Sequence, residues 1–394
     1  MNLLFVFTLI GVWEHRKVEE LGDTFTGLTG KTKEDFGHGD ATFVTYINVF
    51  SNPITDLKMT ESVEIDAKQN QVEYGDIFFT TSSETPEEVG MSSVWLGNEA
   101  NVYLNSFCFG YRPVTELAPS YLAFLLRSPN VRNQFIFLAQ GISRYNISKN
   151  RVMDIEIPVP NIDEQRKVGQ FFKDIDDLIT LHQRKLDQLK ELKKAYLQLM
   201  FPKKDETVPR VRFADFEDDW QLCKLGETFS IIMGQSPNSE NYTENPDDYI
   251  LVQGNSDMKN NKVVPRIWTT QVTKKAEKGD LILSVRAPVG EIGKTDYNVV
   301  LGRGVAAVKG NDFIFQQLRK MKDSGYWTRY STGSTFESIN SNDIKEALIN
   351  IPNKDEQQKI GDLFTHLDDA IILNQNKLNQ LKSLKKSYLQ NMFI

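Results

Sequence analysis

One stretch of this chain occurs twice. Residues 157–201 and 349–393 align without a gap, and about 27 of the 45 positions are identical. A repeat of that length constrains the fold more than any other feature, because both copies must adopt one structure and bury one face. Pro160 and Pro352 interrupt what precedes, and Asn161 and Asn353 can cap a helix. Asp163–Glu164 and Asp355–Glu356 then place negative charge on the first turn. Apolar residues follow in steps of three and four. The first copy runs Val168, Phe171, Ile175, Leu178, then His182, then Leu186, Leu189, Leu192, Tyr196 and Leu199; the second runs Ile360, Leu363, Leu367, Ala370, then Asn374, then Leu378, Leu381, Leu384 and Tyr388. This is a coiled-coil seam with one polar interruption per copy, at the same repeat position. Each helix is expected to be about 57 Å long. Two long surface helices packed on separate cores would satisfy the pattern. Two copies of one seam in one chain favour mutual pairing, and the pattern leaves parallel or antiparallel open.

The 394 residues leave room for two or three domains, and 40% hydrophobic content is enough for sizeable cores. A net charge of −7 argues against a general nucleic-acid coat and says nothing about local patches. Cys108 and Cys223 are the two cysteines, too few for a disulfide framework or a zinc cluster, which fits a reducing cytoplasm. His15, His38, His182 and His366 show no metal-ligand spacing. The apolar start, MNLLFVFTLIGVW, is too short to span a bilayer and lacks a basic flank; a buried strand is the expectation, against a signal sequence or a shifted start.

The chain divides into residues 1–156, a first globular domain; 157–201, a first long helix; 202–348, a second globular domain; and 349–394, a second long helix. In the first domain residues 42–50, 76–81 and 102–111 read as strands, and a helical stretch follows Pro119. The second domain repeats the plan. Leu21–Gly22–Asp23 answers Leu225–Gly226–Glu227, and Gly75–Asp76 answers Gly279–Asp280. Lys203–Lys204 with Pro202 and Pro209 marks the join. The whole chain is therefore a tandem duplication whose globular halves have diverged while its helices have not. Residues 13–156 hold about 12 Lys/Arg against 20 Asp/Glu, an unhelpful balance for holding phosphate.

Signals of catalysis are weak. GEIGKT at 290–295 ends like a phosphate loop, but Pro288 stands where that loop needs glycine. Asp247, Asp257 and Lys259 have the spacing of a metal nuclease, a short pattern of common residues without a partner in the first domain. No Gly-x-Ser-x-Gly elbow and no glycine-rich dinucleotide or S-adenosylmethionine loop is present. Candidate DNA-contacting residues are better represented, each set against an ordinary solvated surface. In the second domain they are Gln235, Ser236, Lys259, Lys262, Arg266, Lys274, Arg286, Arg303, Ser334 and Thr335. In the first they are Lys31, Lys33, Arg112, Arg144, Tyr145 and Asn146. Lysines suit phosphate, whereas Arg, Asn and Gln suit base edges.

The repeated PxxDEQxK…LD…KL…LKxLKKxYLQ…MF, the Gly234–Gln235–Ser236–Pro237 loop, the glycine- and proline-flanked segment 279–290 and the VPRVRFADFEDDW lead-in at 208–220 resemble the specificity subunit of Type I restriction-modification systems. The resemblance covers nearly the whole chain. It implies an α+β fold: two mixed, β-rich target-recognition domains joined by two long helices that form an antiparallel coiled coil, as a pseudo-two-fold tandem repeat. It also implies a non-catalytic reader of double-stranded DNA with a bipartite, asymmetric site. The expected partners are two modification (methyltransferase) subunits and restriction (endonuclease/translocase) subunits, with no membrane. No cofactor is expected in this chain; S-adenosylmethionine, ATP and Mg²⁺ are expected on the partners. The chain departs from the family at its start, where MNLLFVFTLIG replaces a VPxxRFxxF lead-in. Two rivals compete: a coiled-coil adaptor that binds only protein, for which the acidic first domain speaks, and an orphan DNA nuclease using Asp247, Asp257 and Lys259. If the helices are antiparallel, His182 and Asn374 come close together and can fix the register.

Overall fold

The computed structural model describes residues 13–203, 206–330 and 338–393. The expected strand over residues 1–12 lies outside that range. Both repeated stretches are helices of 38 residues, Ile162–Leu199 and Lys354–Asn391. Asn161 Oδ1 accepts the Glu164 amide at 3.0 Å, and Asn353 Oδ1 accepts the Glu356 amide at 2.9 Å. Each asparagine thereby satisfies one of the amides that a helix start leaves without an intrahelical partner.

The chain forms two compact units, residues 1–181 with 378–394, and residues 182–377. They do not coincide with the four segments read from the sequence. Each unit holds one globular domain and a length of both long helices, because the helices pair. In the first unit Phe171 meets Tyr388 edge-on at 5.0 Å, Phe172 stacks on Phe393 at 5.4 Å, and Lys385 Nζ reaches Asp176 at 2.8 Å. In the second unit Lys193 pairs with Asp368, and His182 Nδ1 lies 3.2 Å from Asn374 Oδ1. Partner numbers fall on one helix as they rise on the other, so the pairing is antiparallel. Lys193–Asp368 and Asp176–Lys385 are the same pair in the two copies.

Beyond its midpoint the seam departs from the heptad reading. Leu192 and Leu384 are exposed at 42% and 37%, whereas Lys193 is buried at 5%. Spacings of seven, four and three through Leu186, Lys193, Leu197 and Met200 keep the period of a helix that packs on a domain as well as on a partner helix.

The two domains share a plan. In the first, a four-stranded antiparallel sheet orders Gly22–Thr26, Cys108–Pro113, Ile77–Thr80 and Ser92–Val94. A three-stranded sheet pairs Phe36–Val44 with Thr60–Val63 antiparallel and with Val102–Leu104 parallel. In the second, a six-stranded sheet is built around Leu281–Ser284 and Val305–Val308. A five-stranded sheet there repeats the parallel pair, Tyr249–Val252 with Val299–Leu301. Each domain closes with a clasp onto the chain entering its long helix: Glu14–Lys17 on Glu156–Val159, and Gln221–Lys224 on Leu348–Ile351.

Three sequence-based expectations change. Residues 102–111 are two strands, Val102–Leu104 and Cys108–Pro113, that belong to different sheets. Residues 42–50 are a strand only to Val44. Thr45 then caps a short helix, Tyr46–Ser51, by accepting the Asn48 amide, and this local bond outweighs the β-propensity of the run. The helical stretch after Pro119 is two helices, Pro119–Leu125 and Pro129–Leu138, because Pro129 cannot continue the first.

Equivalent aromatic residues lock helix to domain. Phe393, 1% exposed, lies 5.6 Å from Tyr121 in the first unit. Phe201, also 1% exposed, stacks on Phe313 at 5.3 Å and meets Trp220 edge-on at 6.0 Å in the second. Phe201→Ala and Phe393→Ala are each expected to cost about 3–5 kcal/mol through the cavity left behind. Urea unfolding checks this, and a loss below about 1 kcal/mol at either site would contradict the packing described.

Candidate nucleic-acid interface

In the first unit Arg144, Tyr145 and Asn146 converge. Tyr145–Asn146 pairs with Ser82–Ser83, and the Arg144 guanidinium donates to Ser82 Oγ at 3.1 Å. Of these, Arg144, Ser82 and Ser83 border a concavity of about 680 Å³ with Tyr46, Phe50, Glu84 and Glu88 among its walls. The short helix carrying Tyr46 and Phe50 is held by Arg127, which donates to the carbonyls of Val49, Phe50 and Asn52 at 2.8–3.0 Å. Burial lowers that guanidinium to about 10. Tyr46 and Phe50 stack at 6.0 Å, and Tyr46 donates to Ser82 O at 2.9 Å. Sequence reasoning missed these two rings because it placed them in a strand; Thr45 three residues before Asn48 was the available helix-start signal.

Arg112 is a correction. Its Nε and Nη2 donate to Asp76 at 2.8 and 2.7 Å, Nη1 donates to Glu73, and Nη2 also donates to Gln71 O. Asp76 is 1% exposed and requires this cation, so Arg112 serves the domain interior. Lys31 is likewise paired, with Asp66 at 3.0 Å, whereas Lys33 is exposed on a turn capped by Thr32. The Lys31 and Asp66 charges favour each other's ionised form: the Lys31 value is raised, and that of Asp66, held first by the Lys68 amide and then by Lys31, falls to about 2.

In the second unit three loops bring Gln235, Ser236, Lys274 and Arg303 together. The Arg303 amide donates to Ser236 Oγ at 3.0 Å, Thr273 Oγ1 donates to Gln235 O, and the Leu301 amide donates to Lys274 O at 2.8 Å. A Cβ on Gly234 would stand 2.0 Å from Gly302 O, so this approach of loops requires glycine. The side chains of Gln235, Lys274 and Arg303 are exposed.

Lys259 and Lys262 face each other across a hairpin whose turn residues Asn260 and Asn261 have φ of 52° and 65°. Lys262 is paired with Asp296 at 2.8 Å, which raises its value, while Lys259 is exposed. Arg266 donates to Ser256 O at 3.0 Å and lies 3.6 Å from Asp257. Arg286 is exposed on its own loop, bridged by backbone to Ser338. Ser334 and Thr335 lie outside the described residues.

The nuclease pattern does not assemble. Asp257, 4% exposed, accepts the amides of Gln253 and Gly254 at 2.7 and 3.2 Å and so caps a loop, whereas Asp247 is exposed on a separate turn. Lys294 of GEIGKT lies on a strand and pairs with Asp312 at 2.7 Å. Among the described residues no cluster of three His, Cys, Asp or Glu could hold a metal. Among them, too, no helix is long and apolar enough to cross a membrane.

The described residues thus form two related β-rich domains that present exposed Arg, Lys and Gln on loops, each domain clasped to a long helix of the pair. The family comparison agrees. Residues 11–191 and 217–383 match the model of the Type I restriction modification DNA specificity domain, and the chain belongs to that family. It is 26% identical over 392 residues to the putative type I restriction enzyme MjaX specificity subunit of Methanocaldococcus jannaschii, covering 96% of this chain and 92% of that one. It is 25% identical over 194 residues to the HindI specificity subunit of Haemophilus influenzae, covering 45% and 41%. Among solved structures it is similar to the S subunit from M. genitalium, with a TM-score of 0.64 at 16% identity over 98% of both chains. It is also similar to the HsdS subunit from Thermoanaerobacter tengcongensis, with a TM-score of 0.51 at 22% identity over 97% and 96%. A chain from work on complex assembly of the type I R-M system gives 0.54 at 23% identity over 96% of each.

Arg303→Ala and Arg286→Ala are each expected to lose about 1–3 kcal/mol of discrimination at one base position, whereas Lys259→Ala weakens binding to all sequences and flattens its salt dependence. Competition binding with singly substituted duplexes checks this. Unchanged affinity in all three variants would remove these loops from the interface.

Proposed function

We propose that this chain is the DNA-reading subunit of a Type I restriction-modification complex. Each globular domain reads one half of a bipartite, asymmetric site. The observation that carries this reading is the match of both halves of the chain to a DNA specificity domain, joined to loops that differ between the halves. Diverged loops on a common scaffold imply two different half-sites. In the second domain the cluster of Gln235, Ser236, Lys274 and Arg303 combines a lysine for phosphate with groups that reach base edges. In the first, Arg144, Tyr145 and Asn146 beside the Tyr46–Phe50 concavity play that part, which places cationic contact locally in a domain of acidic balance.

The chain itself performs no chemistry in this reading. Two modification subunits dock on the helix pair and carry S-adenosylmethionine for adenine methylation, and restriction subunits carry ATP and Mg²⁺. The paired helices set the spacing of the half-sites, and His182 with Asn374 holds their register. A polar pair in an apolar seam lowers stability but penalises slipped alternatives. A one-turn slip would move the helices by about 5 Å, more than one base-pair rise.

Methylation-aware sequencing of cells carrying this chain with a modification subunit is expected to reveal one bipartite adenine-methylated site. Exchanging residues 1–156 for those of a relative should change one half-site and leave the other and the spacer alone. Adenine transfer by the purified chain alone, or a change in both half-sites, refutes the reading. A salt-dependent mobility shift on duplex DNA separates it from a purely protein-binding adaptor.

The register pair gives its own outcome. His182→Leu with Asn374→Leu is expected to raise the thermal midpoint by about 2–4 °C, since roughly 1 kcal/mol of buried polar cost is removed. The same variant should accept sites with altered spacers. A lowered midpoint together with unchanged spacer discrimination would remove the register role.

A further inference from the structure

A second concavity, of about 670 Å³, lies wholly within the second unit, away from the loops of Gln235, Arg286 and Arg303. Its walls are the first long helix, the second long helix, the helix Asp312–Asp323 and the turn Asn260–Asn261. Lys190, Lys193, Lys194, Arg319 and Lys320 line it, opposed by the carboxylates Asp323 and Asp368 alone. Five cations against two carboxylates is a strong local excess in a chain whose net charge is −7.

The excess is not neutralised by hydrogen bonding. Asp368 is already engaged by Lys193, by Arg319 at 3.4 Å and by Gln316 at 3.2 Å. Lys320 Nζ donates to the carbonyls of Phe201 and Pro202 at 3.3 and 3.0 Å, which orient the ammonium without cancelling its charge. Burial pulls the Lys193 and Lys320 ammonium groups down to about 8, so both sit where a nearby anion would stabilise them. Leu197, Ile371 and Ile372 form an apolar wall beside the cations.

The feature is not a by-product of the duplication. The repeat carries Lys193 and Asp368 over to Lys385 and Asp176. The positions answering Arg319 and Lys320, however, are Arg127, whose guanidinium is turned to backbone carbonyls, and Ser128, which is buried. Only the second domain adds two cations to this side of its helix.

We propose that this concavity binds a small phosphorylated ligand of about mononucleotide size. Arg319, Lys320, Lys190 and Lys194 receive the phosphate, and Leu197, Ile371 and Ile372 receive the apolar or planar body. The volume falls in the range of about 300–1,000 Å³ usual for such sites. Arginine and lysine together supply the charge-assisted donors that phosphate binding requires.

Isothermal titration of the full chain tests this with adenosine diphosphate, inorganic phosphate, adenosine and a short DNA duplex. Adenosine diphosphate is expected to saturate one site with a millimolar or tighter dissociation constant, phosphate to compete with it, and adenosine not to bind. Arg319→Gln and Lys320→Gln should each weaken binding about tenfold, or about 1.4 kcal/mol. The exposed pair Lys190→Gln with Lys194→Gln should do the same while leaving the Asp368 network untouched. Failure of both adenosine diphosphate and phosphate to saturate overturns the proposal. So does adenosine binding as tightly as the diphosphate, or unchanged affinity in all the variants. If the duplex loses affinity in these variants while adenosine diphosphate does not bind, the phosphate belongs to DNA and the small-ligand assignment falls. Because this site shares no residue with the loops of Gln235, Arg286 and Arg303, loss of half-site recognition in variants of those loops would leave the result standing.

Discussion

Burial of one helix face, made twice, is the constraint on which everything else rests. A 38-residue helix with charge on most of its surface draws little of its stability from propensity and most of it from what covers its apolar stripe. Here each stripe is covered from two directions. The antiparallel neighbour covers it through Phe171 against Tyr388 and Lys193 against Asp368, and the domain covers it through Phe172 and Phe364. Small residues permit that second contact. A Cβ at Gly169 or Gly361 already meets the domain helix at 2.3 and 3.1 Å, so larger side chains there would push helix and domain apart. The same glycine appears at the same repeat position because the same approach is made twice.

The ion pairs inside this packing are costly to break rather than strongly stabilising to make. Lys193 is 5% exposed, and Asp368 shares its carboxylate between Lys193 and Arg319. Removing one member would leave buried charge without compensation, whereas an apolar replacement of the whole set could be neutral. Such groups specify an arrangement. Any arrangement that separates Lys193 from Asp368, or Lys385 from Asp176, leaves those charges without their partners. Arg212, whose Nε and Nη2 each donate to Glu356 at 2.8 Å, plays a similar part at the start of the second helix. The VPRVRFADFEDDW lead-in thus has an internal structural role.

The loops obey a different logic. Hydrogen bonds within the second domain, one of them accepted by Ser236 Oγ, fix the backbone of Gln235 and Arg303 and leave those two side chains exposed. A reader needs this combination, since base discrimination depends on groups held in place before contact and not consumed by the fold. The first domain spends Arg112, Arg127 and Arg132 on its own interior, as salt bridge and as carbonyl clamps. Of the candidate cations in that domain, Arg144 and Lys33 are the exposed ones.

The sequence alone determined the duplication, the two long helices and their caps, the β-rich domains and the family, because each leaves a periodic or repeated signal along the chain. It also placed the polar interruptions His182 and Asn374 at one repeat position. Only the tertiary structure decided which cations are free. Arg112 and Arg303 look alike in sequence, yet a buried Asp76, 36 residues away in the chain, captures the first, and nothing local announces that partner. The helix at Tyr46–Ser51 and the exposure of Leu192 in place of Lys193 were likewise settled in three dimensions. A capping bond and a second packing surface outweighed local propensity there, and neither is a property of the residues that give way.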